Sequence, residues 1–348
     1  MNKIDQKKSQ SVLLKTAVAS SMAVMFVAAP VAAQMTIQIT DGQTTSVFDP
    51  GTGNTVNAAE GVTQTIADTP ADDDPDNGNI VLDGSSNDQV TVINAGTLIN
   101  EDTQDENVVI FIDNAEDQIN ITNTATGTLS GVNGVLFFEG DEATLVNDGL
   151  IEGTGVATEG VVYFDRDADS NVNTITNSGT ITGVGGATIG VDALLDTATL
   201  VLTNTGDITN SGTDGNADAI NINGDPGSTN SNTPFGPDIT DADGDGNITE
   251  GTPTERGCSE SEIDPDARAP IAGTEGSVVN CQHNLTIDNS GTISTDSEAG
   301  STAAIRIEED AVVTGSITNS GSITGAANGI FVNGAHSCLL YTSPSPRD

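Results

Sequence analysis

The residues best placed to do chemistry fall in one short run, "DADGDGNIT", from Asp241 to Thr249. Carboxylates occupy alternate positions at Asp241, Asp243 and Asp245, Gly246 permits a sharp turn, Asn247 offers its carbonyl, and Thr249 adds another oxygen. A tight loop that supplies oxygen at every second residue suits a hard divalent cation, which exchanges its water shell for roughly 6–8 oxygen ligands. Thr252 stands where a bidentate carboxylate would close that shell, and Glu250 or Glu255 is available as an extra ligand.

Other chemistries find little support. Asp165 and Asp167 flank Arg166, and Glu308 and Glu309 follow Arg306, but neighbours on a strand face opposite ways and 51 acidic residues produce such pairs by chance. His283 and His336 are the two histidines, and neither accompanies a recognisable nucleophile motif. The expectation is a protein that is not an enzyme. A polysaccharide lyase or glycoside hydrolase is the alternative.

Both ends differ from what lies between them. Lys3, Lys7, Lys8 and Lys15 precede the mostly apolar "AVASSMAVMFVAAPVAA", and small residues end it at Ala33. Residues 1–33 therefore read as a secretory signal peptide, and the mature chain is expected outside the cytoplasm. The closing "CLLYTSPSPRD", Cys338 to Asp348, resembles a translated sequencing adapter, so 337–348 is expected to be an artefact and the chain a truncated fragment. Setting both ends aside leaves Cys258 and Cys281, most simply a disulfide in an exported protein, with two free thiols as the alternative.

The charge becomes more one-sided on the same reading. The whole chain carries a formal charge of −42, and the mature segment keeps Arg166, Arg256, Arg268 and Arg306 as its only cationic side chains apart from histidine. Such a surface repels nucleic acid and anionic lipid and favours bound cations.

The elements that must position these groups come from a repeat. "VINAGTLIN", "LVNDGLIEG", "ITNSGTITG", "LTNTGDITN", "IDNSGTIST" and "ITNSGSITG" align on Asn94, Asn147, Asn177, Asn204, Asn289 and Asn319, and Asn123 joins them through a turn two residues longer. Successive spacings run from 24 to 30 residues apart from one of 85. Such a period calls for a repeat architecture.

Within a copy, Ile175, Asn177, Gly179 and Ile181 share one parity and the hydroxyl residues the other, as on a strand with one apolar face. Second apolar runs, among them "NVVIFID", "GVVYFDR", "DAININ" and "AAIRIE", lie between copies. The predicted fold is all-β: a parallel β-helix of about 24–30 residues per coil, in which the Asn residues are turn positions and stacked coils share a column of Ile, Val and Leu. An immunoglobulin-like sandwich needs ~100 residues per unit. Thr174-x-Thr176 and Thr180-x-Thr182 resemble the hydroxyl ladders of ice-binding β-helices, but Ser, Asp and Asn interrupt them, as on ordinary solvated strands.

The 85-residue spacing exceeds one coil by about the length of 225–280, where prolines crowd and the alternation stops. This segment is expected to be an acidic loop or subdomain ejected from a coil corner, with coils at 80–224 and 281–336 and a cap or leader at 34–79.

Two resemblances add to this reading. The Asp241 run is similar to the calcium loop of EF-hand and related extracellular proteins, which implies Ca2+ as the ion, although Pro237 and Pro253 argue against flanking helices. The signal, the Asn-Ser-Gly-Thr-Ile coils and the Lys-free acidic composition resemble a Gram-negative autotransporter passenger across about 80–335, the insertion excepted. That family implies export through a C-terminal outer-membrane barrel and display or release outside the cell. The expected role is a structural or adhesive surface protein, with host-cell, biofilm or surface polysaccharides as ligands.

Overall fold

A strand with apolar side chains on every second residue buries little by itself and must find neighbours that cover its apolar face. In the computed structural model of this chain the neighbours are successive copies of the same strands. The structure describes residues 34–48, 52–67, 78–82, 89–102, 108–112, 118–132, 134–138, 142–155, 160–164, 172–191, 199–213, 215–222, 283–308, 313–332 and 338–342.

Within them the chain forms three sheets of ten, eight and nine strands, visited in turn by each coil. Every strand pairing between neighbours is parallel, and the strands stack in sequence order, which is the architecture of a parallel β-helix. The coil that contains Val172–Asn177 in the first sheet, Thr180–Gly183 in the second and Ala187–Val191 in the third is typical.

Alternation decides which residues point inward. Asn173, Ile175 and Asn177 are buried along Val172–Asn177, while the residues between them are half-buried or exposed. Ile175 pairs in register with Leu145 and Leu202, and Ile181 with Ile151 and Ile208, so equivalent residues form columns along the axis. Each such side chain is worth about 1.5–3 kcal/mol when fully buried. Phe138 and Phe164 belong to the same core, edge to face with centroids 5.9 Å apart.

The repeated Asn closes the first strand of each coil rather than sitting in the turn itself. It faces inward, and its amide bonds to the equivalent Asn of the next coil. Nδ2 donates to Oδ1 along Asn94, Asn123, Asn147, Asn177, Asn204, Asn289 and Asn319, at 2.7–2.8 Å in every step.

Nδ2 also reaches carbonyl oxygens at the next corner: Asn177 donates to Asp207 O at 3.2 Å and to Gly179 O at 3.3 Å. An amide has both a donor and an acceptor, so identical side chains can satisfy one another. An aspartate column could not.

The corner after each Asn takes two residues, such as Ser178-Gly179, and four at 124–127. Ser178 N and Gly179 N both donate to Asn147 O, so the turns stack as the strands do. A Cβ on Gly179 would overlap the Gly149 carbonyl oxygen, which is why glycine recurs there.

The insertion does not interrupt the stack. The chain leaves the third sheet after Ile220–Ile222 and re-enters the first at His283–Asn289. Strands on either side pair directly: Leu202 with Ile287, Ile208 with Ile293, and Ile220 with Ile305. Residues 34–79 supply strands Thr36–Ile39, Val47–Phe48, Thr55–Ala58 and Thr63–Ile66 to the same three sheets. Cys338–Thr342 lies at the far edge of the first sheet, paired with Val313–Asn319.

Candidate functional site

The third sheet differs from the others in what it carries on the side away from the core. Register partners there run Val81, Phe111, Phe137, Tyr163, Gly190, Asn221, Arg306 and Phe331. The first four positions form an apolar cluster separate from the main core, in which Phe111 and Phe137 stack at 5.4 Å and Phe137 and Tyr163 meet at 5.4 Å with a 38° tilt. Strand spacing of about 4.8 Å places successive rings at stacking distance without further adjustment.

At Gly190 the ladder loses its side chain, at Asn221 and Arg306 it is polar, and at Phe331 it is aromatic again. Arg306 makes two contacts with carboxylates from different coils. Its Nη2 donates to Glu308, at 2.9 Å to Oε2 and 2.8 Å to Oε1, and its Nη1 lies 3.6 Å from Asp218 Oδ2.

Glu308 follows Arg306 by two residues and so lies on its side of the strand. Asp218 opens the apolar run of the preceding coil and accepts a hydrogen bond from Ala303 N at 2.7 Å. Asp218 is fully buried, whereas the Arg306 and Glu308 side chains keep 14% and 21% of their exposure.

Burial pushes the Asp218 carboxyl up to about 6, although the Ala303 N–H and the Arg306 guanidinium pull the other way. Glu308 adds to the upward shift. Three atoms in this group are buried with no hydrogen-bond partner: Asp218 Oδ2, Asn221 Oδ1 and Arg306 Nε. An unpaired buried polar atom costs about 1–3 kcal/mol; of the three, Asp218 Oδ2 keeps the Arg306 guanidinium at 3.6 Å as its ion-pair partner.

The sequence reading reached this cluster in part. It noted Glu308 and Glu309 beside Arg306 and set them aside as chance, whereas Arg306 and Glu308 are in contact. It passed over Asp218 and Asn221, although aligning "DAININ" with "AAIRIE" sets Asn221 against Arg306 and Asp218 against Ala303. A charged residue opening an otherwise apolar run was the available signal.

The remaining calls fall elsewhere. Asp241, Asp243, Asp245, Asn247, Thr249, Glu250, Glu255, Cys258 and Cys281 lie outside the described residues, as do Asp165, Arg166, Asp167, Glu309, His336 and the signal-like 1–33. Among the described residues no three His, Cys, Asp or Glu side chains are grouped so as to hold a metal. The hydroxyl rows are broken as their sequence indicated, with Thr180 between Leu150 and Asp207.

Comparison with family models, with curated proteins and with solved structures finds no match to this chain. The functional reading therefore stands on the chain's own residues.

Proposed function

We propose that the chain is an exported scaffold of the cell surface or extracellular medium, structural or adhesive in role, that presents residues 225–280 from one corner of a β-helix. Calcium bound through Asp241, Asp243, Asp245, Asn247 and Thr249, with Glu250 or Glu255 as a further ligand, organises the presented segment, and a Cys258–Cys281 disulfide closes it. The export route is that of an autotransporter passenger, a reading supported by the signal-like 1–33 and the coil repeat.

The observation that carries the proposal is the continuity of the stack across the insertion. Asn204 Nδ2 donates to Asn289 Oδ1 at 2.8 Å although 85 residues separate them. A segment that leaves and returns without disturbing its coil is free to vary for binding while the scaffold holds its position.

The test compares the whole chain with a variant in which 225–280 is replaced by a short Gly-Ser link, measuring adhesion to polysaccharide-coated and cell surfaces. Binding lost in the variant, with an unchanged unfolding transition, supports the proposal. Equal binding by both contradicts it. Proteolysis of the whole chain in calcium and in chelator examines the metal, and identical cleavage within 225–280 would remove calcium from the account.

A second reading, an extracellular carbohydrate-active enzyme, is favoured by one observation. Asp218, Arg306 and Glu308 come from adjacent coils and include a carboxyl shifted toward neutrality, as an acid catalyst requires. Release of reducing ends from neutral polysaccharides, abolished in Asp218→Asn, is its test.

A further inference from the structure

We propose that Asp218, Arg306 and Glu308 form a pH-responsive clamp across the insertion, closing the third sheet between Ile220–Ile222 and Ala303–Ile307 in mildly acidic solution and loosening it above neutrality. The clamp is built from coil residues alone; that it steadies the root of a presented segment rests on the function proposed above.

The junction is narrow. In the first sheet the pairing across the insertion runs from Thr199 with Asn284 to Asn204 with Asn289, whereas in the third it spans only Ile220–Ile222 with Ile305–Ile307. The shorter pairing opens locally at lower cost, because fewer contacts break. Ile222 is also the last described residue before the insertion, and its carbonyl accepts from Glu308 N at 2.9 Å.

Asp218 is fixed on one side of this junction and reaches across it with its carboxyl. Its backbone carbonyl accepts from Thr188 N at 2.9 Å and from Asn210 Nδ2 at 3.0 Å, both before the insertion. Its carboxyl accepts from Ala303 N at 2.7 Å and stands 3.6 Å from Arg306 Nη1, both after it. Glu308 holds the same guanidinium at 2.8 Å, so the buried carboxyl has the weaker share of one cation.

Among the described residues the charged groups that face Asp218 are Arg306 and Glu308. Ala187–Val191 in the preceding coil, Asn221 on its own strand and Asn328–Val332 beyond Arg306 carry no charge. Asp207, Asp296 and Glu298, on the packed second-sheet strand and loop, are exposed to solvent.

An open junction returns the Asp218 carboxyl to water, where it titrates near 3.8; in the closed junction burial raises it to about 6. The closed form is therefore favoured in full below 3.8, and its advantage falls away as pH rises through 6. Between pH 5 and pH 8 the opening equilibrium should grow about tenfold.

Hydrogen exchange on the whole chain at pH 5 and pH 8, corrected for the intrinsic rate at each pH, reads the clamp. The Ala303 and Glu308 amides should lose about tenfold more protection than those of Ile110 and Val135, which bond within the same sheet away from the cluster. Asp218→Asn keeps the shape and removes the charge, and should abolish the difference. Glu308→Gln leaves Arg306 to Asp218 and should shrink it. Glu308 is partly exposed, so its variant decides the matter if Asp218→Asn fails to fold.

Equal loss of protection at the two places would overturn the proposal. A difference that survives in Asp218→Asn, or that Glu308→Gln leaves unchanged, would overturn it equally. Adhesion through 225–280 is a separate measurement, so either reading can fail alone.

Discussion

Replacing Asn204 by alanine isolates the device that ties the coils together across the insertion. The Asn204 side chain is fully buried, accepts from Asn177 Nδ2 at 2.8 Å, and donates to Asn289 Oδ1 at 2.8 Å, to Thr292 O at 3.1 Å and to Gly206 O at 3.1 Å. Asn177 Nδ2 retains Gly179 O and Asp207 O in the variant, so its loss is partial. Asn289 Oδ1 loses a donor inside the core and the part-buried Thr292 O loses another, each at about 1–3 kcal/mol, and a total of about 2–6 kcal/mol follows.

Equilibrium unfolding in guanidinium followed by circular dichroism measures the total, and hydrogen exchange locates it. Because each coil contacts only its neighbours, faster exchange should centre on Ser290, Gly291 and Thr292, whose amides donate to Asn204 O and Gly206 O. Thr203→Ala, on the opposite side of the strand, should stay within about 0.5 kcal/mol of the parent. An Asn204→Ala variant inside that same margin would refute the reasoning, since the ladder would then be decoration on a stack held by other forces.

Four further outcomes follow from the same contacts. Gly179→Ala forces a Cβ onto the Gly149 carbonyl oxygen and should destabilise by about 3 kcal/mol, the upper part of the usual range for forced overlap because the obstacle is backbone, read as a lower denaturant midpoint. Phe137→Ala empties the site between the Phe111 and Tyr163 rings and should cost about 3–5 kcal/mol on the same scale. Asp218 has its folded carboxyl raised to about 6 from 3.8, so the folded state holds the proton more tightly; stability relative to Asp218→Asn is greatest below about 3.8 and declines as pH rises through 6. Parallel pH curves for the two proteins would contradict that assignment. Replacing 225–280 with a short link should leave the unfolding midpoint unchanged, because Leu202, Ile208 and Ile220 already pair with Ile287, Ile293 and Ile305.

The coil was legible because its period and its alternation are both written in side-chain type. Ile175 and Ile181 announce one face, and the spacing of the Asn residues announces the stack. The role of the Asn was less accessible. Its residue type suits a turn as well as it suits a ladder, and only the register between coils brings Asn147 Oδ1 within 2.8 Å of Asn123 Nδ2.

Asn210 shows the same limit at the second corner. It is buried and bonds Gly185 O, Gly186 O and Asp218 O, yet its register partners are Gly183 and Thr295, so no repeated letter marks it. The polar group on the third sheet was hidden for a related reason. Asp218 and Arg306 lie 88 positions apart, on either side of an insertion, and become neighbours once coils of unequal length are set in register. The charge shift of Asp218 arises from its burial, which residue type alone does not announce.

The central claim is that the coils before and after the insertion form one continuous stack, and a cross-link tests it most directly. Thr203 and Asp288 are register partners across the insertion, and Thr176 and Thr203 are the equivalent pair across an ordinary coil. Paired parallel strands place such residues about 4.8 Å apart, within reach of a disulfide. In a background with Cys258, Cys281 and Cys338 changed to serine, Thr203→Cys with Asp288→Cys should form a disulfide under mild oxidation as readily as Thr176→Cys with Thr203→Cys. Closure of the second pair without the first would contradict the account.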